Sequence, residues 1–106
     1  MADHLIVMTT VGADTDATAF ASTLVEERLA ACVNILPGMI SVYRWKGGVS
    51  RDPEQQLLIK TSADRLDPLR ARLEALHPYE VPEILVLAVA DGGADYLSWV
   101  TASTRP

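Results

Sequence analysis

The segment M-I-S-V-Y-R-W-K-G-G-V-S, residues 39–50, has the pattern of a strand, a tight turn and the start of a second strand. Residues 39–46 are rich in Ile, Val, Tyr and Trp, which favour strands. The pair Gly47-Gly48 accepts the positive φ values that tight hairpins require, so we place the turn there. The second strand is predicted over residues 49–61. The pair Asp52-Pro53 inside it predicts a bulge or an irregular stretch, because proline cannot donate a hydrogen bond to a neighbouring strand.

Upstream of the hairpin, the sequence predicts one strand and one helix. Residues 5–10 are apolar and rich in β-branched side chains, which is typical of a strand. Asp14 or Thr15 is the predicted N-cap of the first helix. Apolar positions then follow helical spacing at Ala17, Phe20, Ala21, Leu24 and Val25, and continue toward Leu29 and Ala31. From Cys32 the pattern changes to alternation, which is interrupted at Pro37-Gly38.

Downstream of the hairpin, residues 62–76 predict a second helix with Pro68 in its first turn. Its apolar face is formed by Leu66, Leu69, Leu73 and Leu76. Residues 84–90 form an apolar run that is a candidate for a fully buried strand, and a short last helix is predicted around residues 96–101.

This order of elements indicates an α+β fold, a ferredoxin-like split βαβ sandwich with βαββαβ topology plus a C-terminal helix. A chain of 106 residues has the length of a single domain, residues 1–106. The long central hairpin would project beyond so small a core and expose strand edges. We therefore predict a homo-oligomer joined partly by strand pairing, with Tyr43 and Trp45 packed at the interface.

The charge balance argues against two classes of partner. Nine Lys and Arg face fourteen Asp and Glu, and the net charge of −5 disfavours nucleic acid and anionic membranes. The longest apolar run has seven residues, whereas a membrane-spanning helix needs roughly 20. The N-terminus lacks a signal-peptide pattern and Cys32 is the only cysteine, so a reducing cytoplasm is the expected location.

Two residues are candidate metal ligands. Cys32 can be a soft ligand for copper or a similar divalent metal, or a small buried residue at a helix-to-strand junction. His77 can bind a divalent ion together with Glu80 and Glu83, or it can belong to a stiff corner that the two neighbouring prolines create. The residues leave both alternatives open.

Other side chains are weaker candidates. Trp45 and Trp99 can be core, interface or ligand contacts, and Lys60 and Glu54 are equally ambiguous. No nucleophile elbow, Walker loop, dinucleotide-binding glycine pattern or zinc-protease helix is present, so we do not expect an enzyme.

Five segments, taken together and at their spacing, resemble the CutA family of divalent cation tolerance proteins. They are E-R-L-A-A-C-V-N-I-L-P-G (27–38), V-Y-R-W-K-G (42–47), L-L-I-K-T (57–61), L-H-P-Y-E-V-P-E-I (76–84) and Y-L-S-W-V (96–100). The resemblance covers essentially the whole chain. It implies a ferredoxin-like subunit in a stable homotrimer that is similar in architecture to PII signalling proteins.

The resemblance also implies a function and a site. It suggests divalent-cation tolerance, a response to metal ions in which copper or another divalent metal binds in clefts between subunits. The residues that match the family motifs are Cys32, Trp45, Glu54, Lys60, His77, Tyr79, Glu80, Glu83 and Trp99. Some members carry further cysteines, so the solitary Cys32 excludes a copper site made of several thiolates from one subunit.

Three hypotheses therefore stand at the level of sequence. The first is a trimer that binds metal through His77 or Cys32 with carboxylates across a subunit boundary. The second is a PII-like small-molecule sensor in which Lys60 and Tyr79 face an anionic ligand. The third is a structural trimeric scaffold for another protein, which needs no metal.

Overall fold

Over residues 2–106, the part of the chain that the computed structural model describes, a four-stranded antiparallel sheet is combined with three α-helices. The strands are β1 (His4–Gly12), β2 (Cys32–Trp45), β3 (Gly48–Ser62) and β4 (Leu85–Ala88), and the helices are α1 (Ala17–Glu26), α2 (Leu66–Leu76) and α3 (Ala94–Ser103). The order across the sheet is β2-β3-β1-β4. The α+β class and the predicted sequence of elements are confirmed.

The core lies between one face of the sheet and helices α1 and α2. Val7 and Val11 of β1 and Leu57 and Ile59 of β3 have no exposed surface, and they belong to one cluster with buried residues of both helices. Because side chains alternate along a strand, the residues between them point to the opposite face, which we call the open face. Helix α3 packs at one end of the open face, where His4 bonds to Thr101 at 2.8 Å.

The N-cap of helix α1 lies two residues after the earlier of the two predicted caps, Asp14. Asp16 is the N-cap, and its carboxylate accepts a hydrogen bond from the Ala19 N–H at 3.0 Å. Asp14 and Thr15 belong to the preceding turn, in which the Thr15 N–H bonds to the Gly12 carbonyl. The helix ends at Glu26. Arg28 has a φ of 57°, which is incompatible with helix continuation, so the residues that follow are buried outside the helix.

The tight turn of the hairpin lies one residue earlier than predicted. Trp45 pairs with Gly48, so Lys46 and Gly47 are the two turn residues. Their φ values are 49° and 78°, which is the combination that a type I′ turn requires. The pattern Gly47-Gly48 located the hairpin correctly but did not fix its register, because either adjacent pair containing a glycine can occupy the turn.

The bulge of the hairpin lies in β2, and the prediction of one at Asp52-Pro53 is wrong. Leu36 pairs with Gln56 and Met39 with Glu54, so β2 has one extra residue around Pro37-Gly38. Pro53 itself pairs regularly with Ile40. The Pro53 carbonyl accepts the Ala13 N–H, and a strand residue directs its nitrogen and oxygen to the same side. The missing N–H of Pro53 therefore faces away from β2, where no strand bond is lost.

The amphipathic second helix is confirmed, with a later start. Ser62 is the last residue of β3, and a single 3₁₀ turn, Ala63–Arg65, precedes α2. Pro68 lies in the first turn of α2, where its missing N–H has no helical partner to bond. Leu69 and Leu73 are fully buried, and the two outer leucines of the same face pack against them.

The expectation of a fully buried strand over residues 84–90 is wrong for the single chain. Strand β4 covers Leu85–Ala88, and all of its side chains are exposed. The reason is its position at the edge of the sheet, where β1 is its only neighbour. Leu85 and Leu87 pair with Met8 and Ile6, which places them on the open face of the sheet.

The long hairpin projects beyond the core, as its length predicted. Strands β2 and β3 have 14 and 15 residues, whereas β1 ends opposite Glu54. The distal part of the hairpin therefore has no other strand beside it, and the molecule measures 44 × 26 × 24 Å. In residues 2–106 the structure contains no helix with the length and apolar character needed to cross a bilayer.

Candidate functional site

A groove of about 1110 Å³ lies between the projecting hairpin and the loop that follows α2. The end of β1 forms its floor, and the open face of the hairpin forms one wall. The second wall is the loop from Pro78 to Glu83. This volume slightly exceeds the roughly 300–1,000 Å³ that is usual for sites that hold small molecules.

The groove is acidic. Its carboxylates are Asp14, Asp52, Glu54, Glu80 and Glu83. Among the described residues that line it there is no lysine, arginine or histidine. Because carboxylates of one sign in a concave surface reinforce one another, the groove attracts cations and repels anions. We refer to it below as the acidic groove.

Aromatic rings form much of the remaining surface. Tyr43 and Trp45 come from the hairpin and Tyr79 from the loop. Tyr43 donates its hydroxyl hydrogen to Asp52, its diagonal neighbour on the same face of the hairpin. The Asp52 carboxylate raises the pKa of Tyr43, since the hydrogen bond favours the protonated phenol.

Glu54 and Tyr79 form the innermost contact of the acidic groove. Glu54 retains only 7 % exposure, and its Oε2 accepts the hydroxyl hydrogen of Tyr79. Loss of hydration raises the pKa of Tyr79 above its ordinary value, and the hydrogen bond to the Glu54 carboxylate raises it further. Although the ring of Tyr79 is partly exposed, its hydroxyl reaches a buried carboxylate.

The loop that carries Tyr79 is held by the ring of His77, which is buried. The His77 Nδ1 accepts the Tyr79 N–H at 3.1 Å, and the Nε2 lies 2.8 Å from the Thr10 carbonyl oxygen. Since a carbonyl can only accept, the ring proton is on Nε2. Phe20 contacts the ring edge on, with 6.1 Å between centroids. Both ring nitrogens therefore have protein partners, and a metal could reach His77 only by displacing one of them.

Glu83 attaches the other end of the loop to the sheet. Its Oε2 accepts hydrogen bonds from the Thr10 hydroxyl and from the Gln56 side-chain amide, both at 3.1 Å. The amide of Gln56 also donates to the Thr9 carbonyl at 2.8 Å. These contacts join the loop to the two central strands, so the wall of the acidic groove is fixed before any ligand binds.

The remaining sequence-predicted residues lie elsewhere in the subunit. Lys60 pairs with Cys32 on β2, whereas the Thr10 that contacts His77 pairs with Gln56. Four strand residues separate the two positions, which corresponds to about 13 Å. The Nζ of Lys60 lies 5.8 Å from the centre of the Tyr96 ring. Trp99 packs near the same ring on α3, with 5.6 Å between centroids.

Apart from the buried His77, the structure separates the sequence-predicted site residues into two groups. Trp45, Glu54, Tyr79, Glu80 and Glu83 meet in the acidic groove, while Lys60, Cys32 and Trp99 are at the other end of the open face. Across residues 2–106, no three His, Cys, Asp or Glu side chains come together in a group that could hold a metal ion.

Sequence reasoning missed Asp14, Tyr43 and Asp52 as groove residues. The pairing of β2 with β3 contains the signal that could have found two of them. In an antiparallel hairpin, Tyr43, Trp45, Asp52 and Glu54 alternate onto a single face once the turn is placed at Lys46-Gly47. Asp14 gives no such signal, because its position depends on how the turn after β1 folds.

The tyrosine contacts predict an unusual alkaline titration. We expect Tyr79 and Tyr43 to ionise at higher pH than free tyrosine, which can be followed by the near-ultraviolet absorbance of phenolate. Glu54→Gln removes the anionic acceptor, so Tyr79 should ionise at lower pH in that variant. The exposed Glu74 lies outside the groove, and Glu74→Gln is the control that should leave the titration unchanged.

The raised pKa of Tyr79 also determines how the stability of the fold changes with pH. The unfolded chain loses the Tyr79 proton near pH 10, whereas the folded chain retains it to higher pH. The stabilisation is therefore complete below about pH 10 and is lost as the pH rises toward the folded-state pKa. Ionisation of Tyr79 together with free tyrosine would contradict the assigned contact with Glu54.

Comparisons with known proteins agree on one family. Residues 5–103 match the family model described as CutA1 divalent ion tolerance protein. A divalent-cation tolerance protein CutA of Thermus thermophilus is 50 % identical over 99 residues, which cover 93 % of this chain and 96 % of that protein. The chloroplastic protein CutA of Arabidopsis thaliana is 48 % identical over 85 residues, 80 % of this chain and 47 % of that longer protein.

A solved structure shows the same fold. The divalent cation tolerance protein Cut A1 from Thermus thermophilus superposes with a TM-score of 0.91 at 48 % identity. The alignment covers 96 % of this chain and 99 % of the other. The arrangement of strands and helices around the acidic groove is therefore shared over nearly the full length of both chains.

Proposed function

Because this chain belongs to the CutA1 divalent ion tolerance family, we propose that it supports divalent-cation tolerance by binding the cation itself, without enzymatic activity. The observation that carries the proposal is the acidic groove. Its five carboxylates are not balanced by any basic side chain among the described residues that line it. Such a surface concentrates cations.

The protein acts as a homotrimer in this proposal. Leu85 and Leu87 of β4 and the aromatic residues Tyr96 and Trp99 of α3 are exposed in the single chain. Large apolar patches of this kind mark contact surfaces. The strand order β2-β3-β1-β4 also supports a ferredoxin-like subunit, the architecture that the resemblance to trimeric PII-like proteins implies.

Association of subunits would also bring together enough ligating side chains for a metal site. One chain does not bring three ligating side chains together in residues 2–106. Because Cys32 lies away from the acidic groove of its own subunit, we propose that metal binds where Cys32 of one subunit meets groove carboxylates of the next. Copper is among the metals that a thiol and an imidazole favour. Cys32 is the better of the two candidates, since it is a free, partly exposed thiol, whereas both nitrogens of His77 have protein partners.

Native mass spectrometry of the metal-stripped protein tests this function. With a slight excess of copper, we expect three ions per trimer, one for each equivalent site. Cys32→Ala should remove this stoichiometric uptake while the trimer persists, and Glu74→Gln should not alter it. The double variant Asp14→Asn/Glu80→Gln reports whether the acidic groove contributes.

Two results would overturn the proposal. One is a trimer that takes up no copper or only a broad distribution of surface adducts. The other is uptake that is unchanged in Cys32→Ala, in His77→Ala and in the double carboxylate variant. Loss of uptake in the double variant alone would transfer the site to the acidic groove, and divalent-cation binding would still stand.

The volume of the acidic groove favours a second candidate function, that of a small-molecule sensor. A groove of about 1110 Å³ is far larger than a single ion requires. The anionic ligand expected for a PII-like sensor has less support, because Lys60 lies away from the groove and its lining is acidic. A thermal-shift screen with one set of anionic and one set of cationic compounds tests which charge class raises the melting temperature.

We place the protein in the cytoplasm, with no nucleic acid or membrane as partner. The support is the single cysteine and the net charge of −5. The relative from Arabidopsis thaliana is named chloroplastic, so location varies among members of the family. Fractionation of cells that express the full-length chain from its own gene tests the assignment.

A further inference from the structure

The distal part of the hairpin has a second face, opposite to the face that forms a wall of the acidic groove. In the register of β2 and β3, Arg44 pairs with Val49, and Ile40 and Arg51 alternate onto the same side. None of these four residues lines the groove. We refer to Ile40, Arg44, Val49 and Arg51 below as the far face of the hairpin.

The far face is partly apolar, and one chain leaves it open. The exposed fraction is 62 % for Ile40 and 67 % for Val49. Neither belongs to the core cluster, because β1 ends opposite Glu54 and the hairpin continues beyond the core. Large apolar side chains that are exposed on one face mark a contact surface.

The far face also carries two positive charges. Arg44 and Arg51 are exposed. Within residues 2–106 neither forms an ion pair with a carboxylate, since the recorded pairs belong to Arg72 and Arg105. Guanidinium groups bind carboxylates strongly, often through two parallel hydrogen bonds. The partner that fits the far face is therefore a surface with exposed carboxylates.

The acidic groove carries the complementary charge. Asp14 and Glu80 line it and are exposed, and neither is in an ion pair within the described part of the chain. The other three carboxylates of the groove already accept hydrogen bonds from side chains of the same subunit. Asp14 and Glu80 are accordingly the groove carboxylates that an arginine can pair.

The far face and the groove cannot meet within one chain, because they lie on opposite sides of the same hairpin. A second copy of the chain can bring its far face to the groove of the first. A contact between two different patches continues from copy to copy until a ring closes. A closed ring of three uses every far face and every groove, which agrees with the homotrimer proposed above.

We propose that the acidic groove of each subunit is completed by the far face of a neighbouring copy, with Arg44 and Arg51 paired to Asp14 and Glu80. The inference rests on the proposed homotrimer and adds the partner's arginines to the groove. Two arginines do not balance the carboxylates Asp14, Asp52, Glu54, Glu80 and Glu83, so the groove keeps negative charge for the proposed cation.

The rate of subunit exchange between isotope-labelled and unlabelled trimers tests the contact, with native mass spectrometry of the metal-stripped protein as the readout. Arg44→Glu/Arg51→Glu reverses the far face, and Asp14→Lys/Glu80→Lys reverses the groove. Each brings like charges together, so we expect exchange at least about tenfold faster than in the unaltered protein, or dissociation into monomers. The variant with all four substitutions restores opposite charges and should return the exchange rate toward that of the unaltered protein.

The four positions are exposed, so the variants should fold, which circular dichroism checks. Arg70→Glu/Glu74→Lys reverses two exposed charges on α2 and should leave the exchange rate unchanged. The inference is overturned if either reversed variant exchanges like the unaltered protein, or if the combined variant shows no recovery. A protein that is monomeric throughout overturns the proposed homotrimer as well, and copper uptake of the same samples reports separately on the metal function.

Discussion

Replacing Leu73 by alanine is expected to lower the free energy of unfolding by about 2–5 kcal/mol. Leu73 has no exposed surface and belongs to the cluster that joins α2 to the sheet. The substitution removes buried methyl groups and leaves a cavity that the surrounding side chains fill only in part. Guanidinium unfolding at one fixed protein concentration measures the effect, since the stability of an oligomer depends on concentration.

Val25→Ala is the matched control for this loss. Val25 lies on α1, which packs on the same face of the sheet as α2, but 40 % of its surface is exposed. Its truncation should change the midpoint of unfolding much less than Leu73→Ala does. If the two variants unfolded at the same denaturant concentration, the assignment of Leu73 to the core would be wrong.

Replacing Leu87 by aspartate is expected to dissociate the proposed homotrimer. Leu87 lies on the open face of β4, and 47 % of its surface is exposed in the single chain. If this face is the subunit contact, assembly would bury the new carboxylate without a partner, at a cost of roughly several kcal/mol for each subunit. Native mass spectrometry or light scattering should then report monomers instead of trimers.

Ala71→Asp introduces the same charge on an exposed position of α2. It should leave the proposed trimer intact, because α2 packs on the face of the sheet that the core already covers. A stable trimer in Leu87→Asp would show that the open face at β4 is not the subunit contact. The exposed apolar residues there would then need another explanation.

Much of the secondary structure followed from short-range patterns. The four-leucine face of α2 and the β-branched run of β1 were predicted because each element buries one side, and burial selects apolar residues at its own period. The hairpin was predicted from the strand-favouring residues 39–46 and from the turn signal Gly47-Gly48 that follows them. These signals involve residues that are neighbours along the chain, so they can be interpreted without knowing the fold.

The errors came from choices between local alternatives of similar energy. Asp14, Thr15 and Asp16 can each cap a helix, and the packing of α1 on the sheet selects Asp16. Either adjacent glycine-containing pair can form the hairpin turn, and the pairing of β2 with β3 selects Lys46-Gly47. The apolar run that became β4 suggested burial, but the single chain leaves β4 exposed because it is an edge strand.

The candidate site was predicted in part. The sequence indicated that Glu54, Tyr79, Glu80 and Glu83 have functional importance, and all four line the acidic groove. It did not indicate that Glu54 bonds to Tyr79, because 25 residues separate them. It also did not separate this group from Lys60 and Trp99, since resemblance to a family marks residues without assigning them to one surface.

The sequence by itself determined the fold class, the family and the acidic character of the chain, because burial periodicity, motif spacing and net charge are properties of the order and composition of residues. Only the tertiary structure decided which carboxylates meet, which phenol bonds to Glu54 and which nitrogens of His77 already have partners. Those outcomes depend on distances between segments remote in sequence, and the packing of the sheet, the hairpin and the loop after α2 sets those distances.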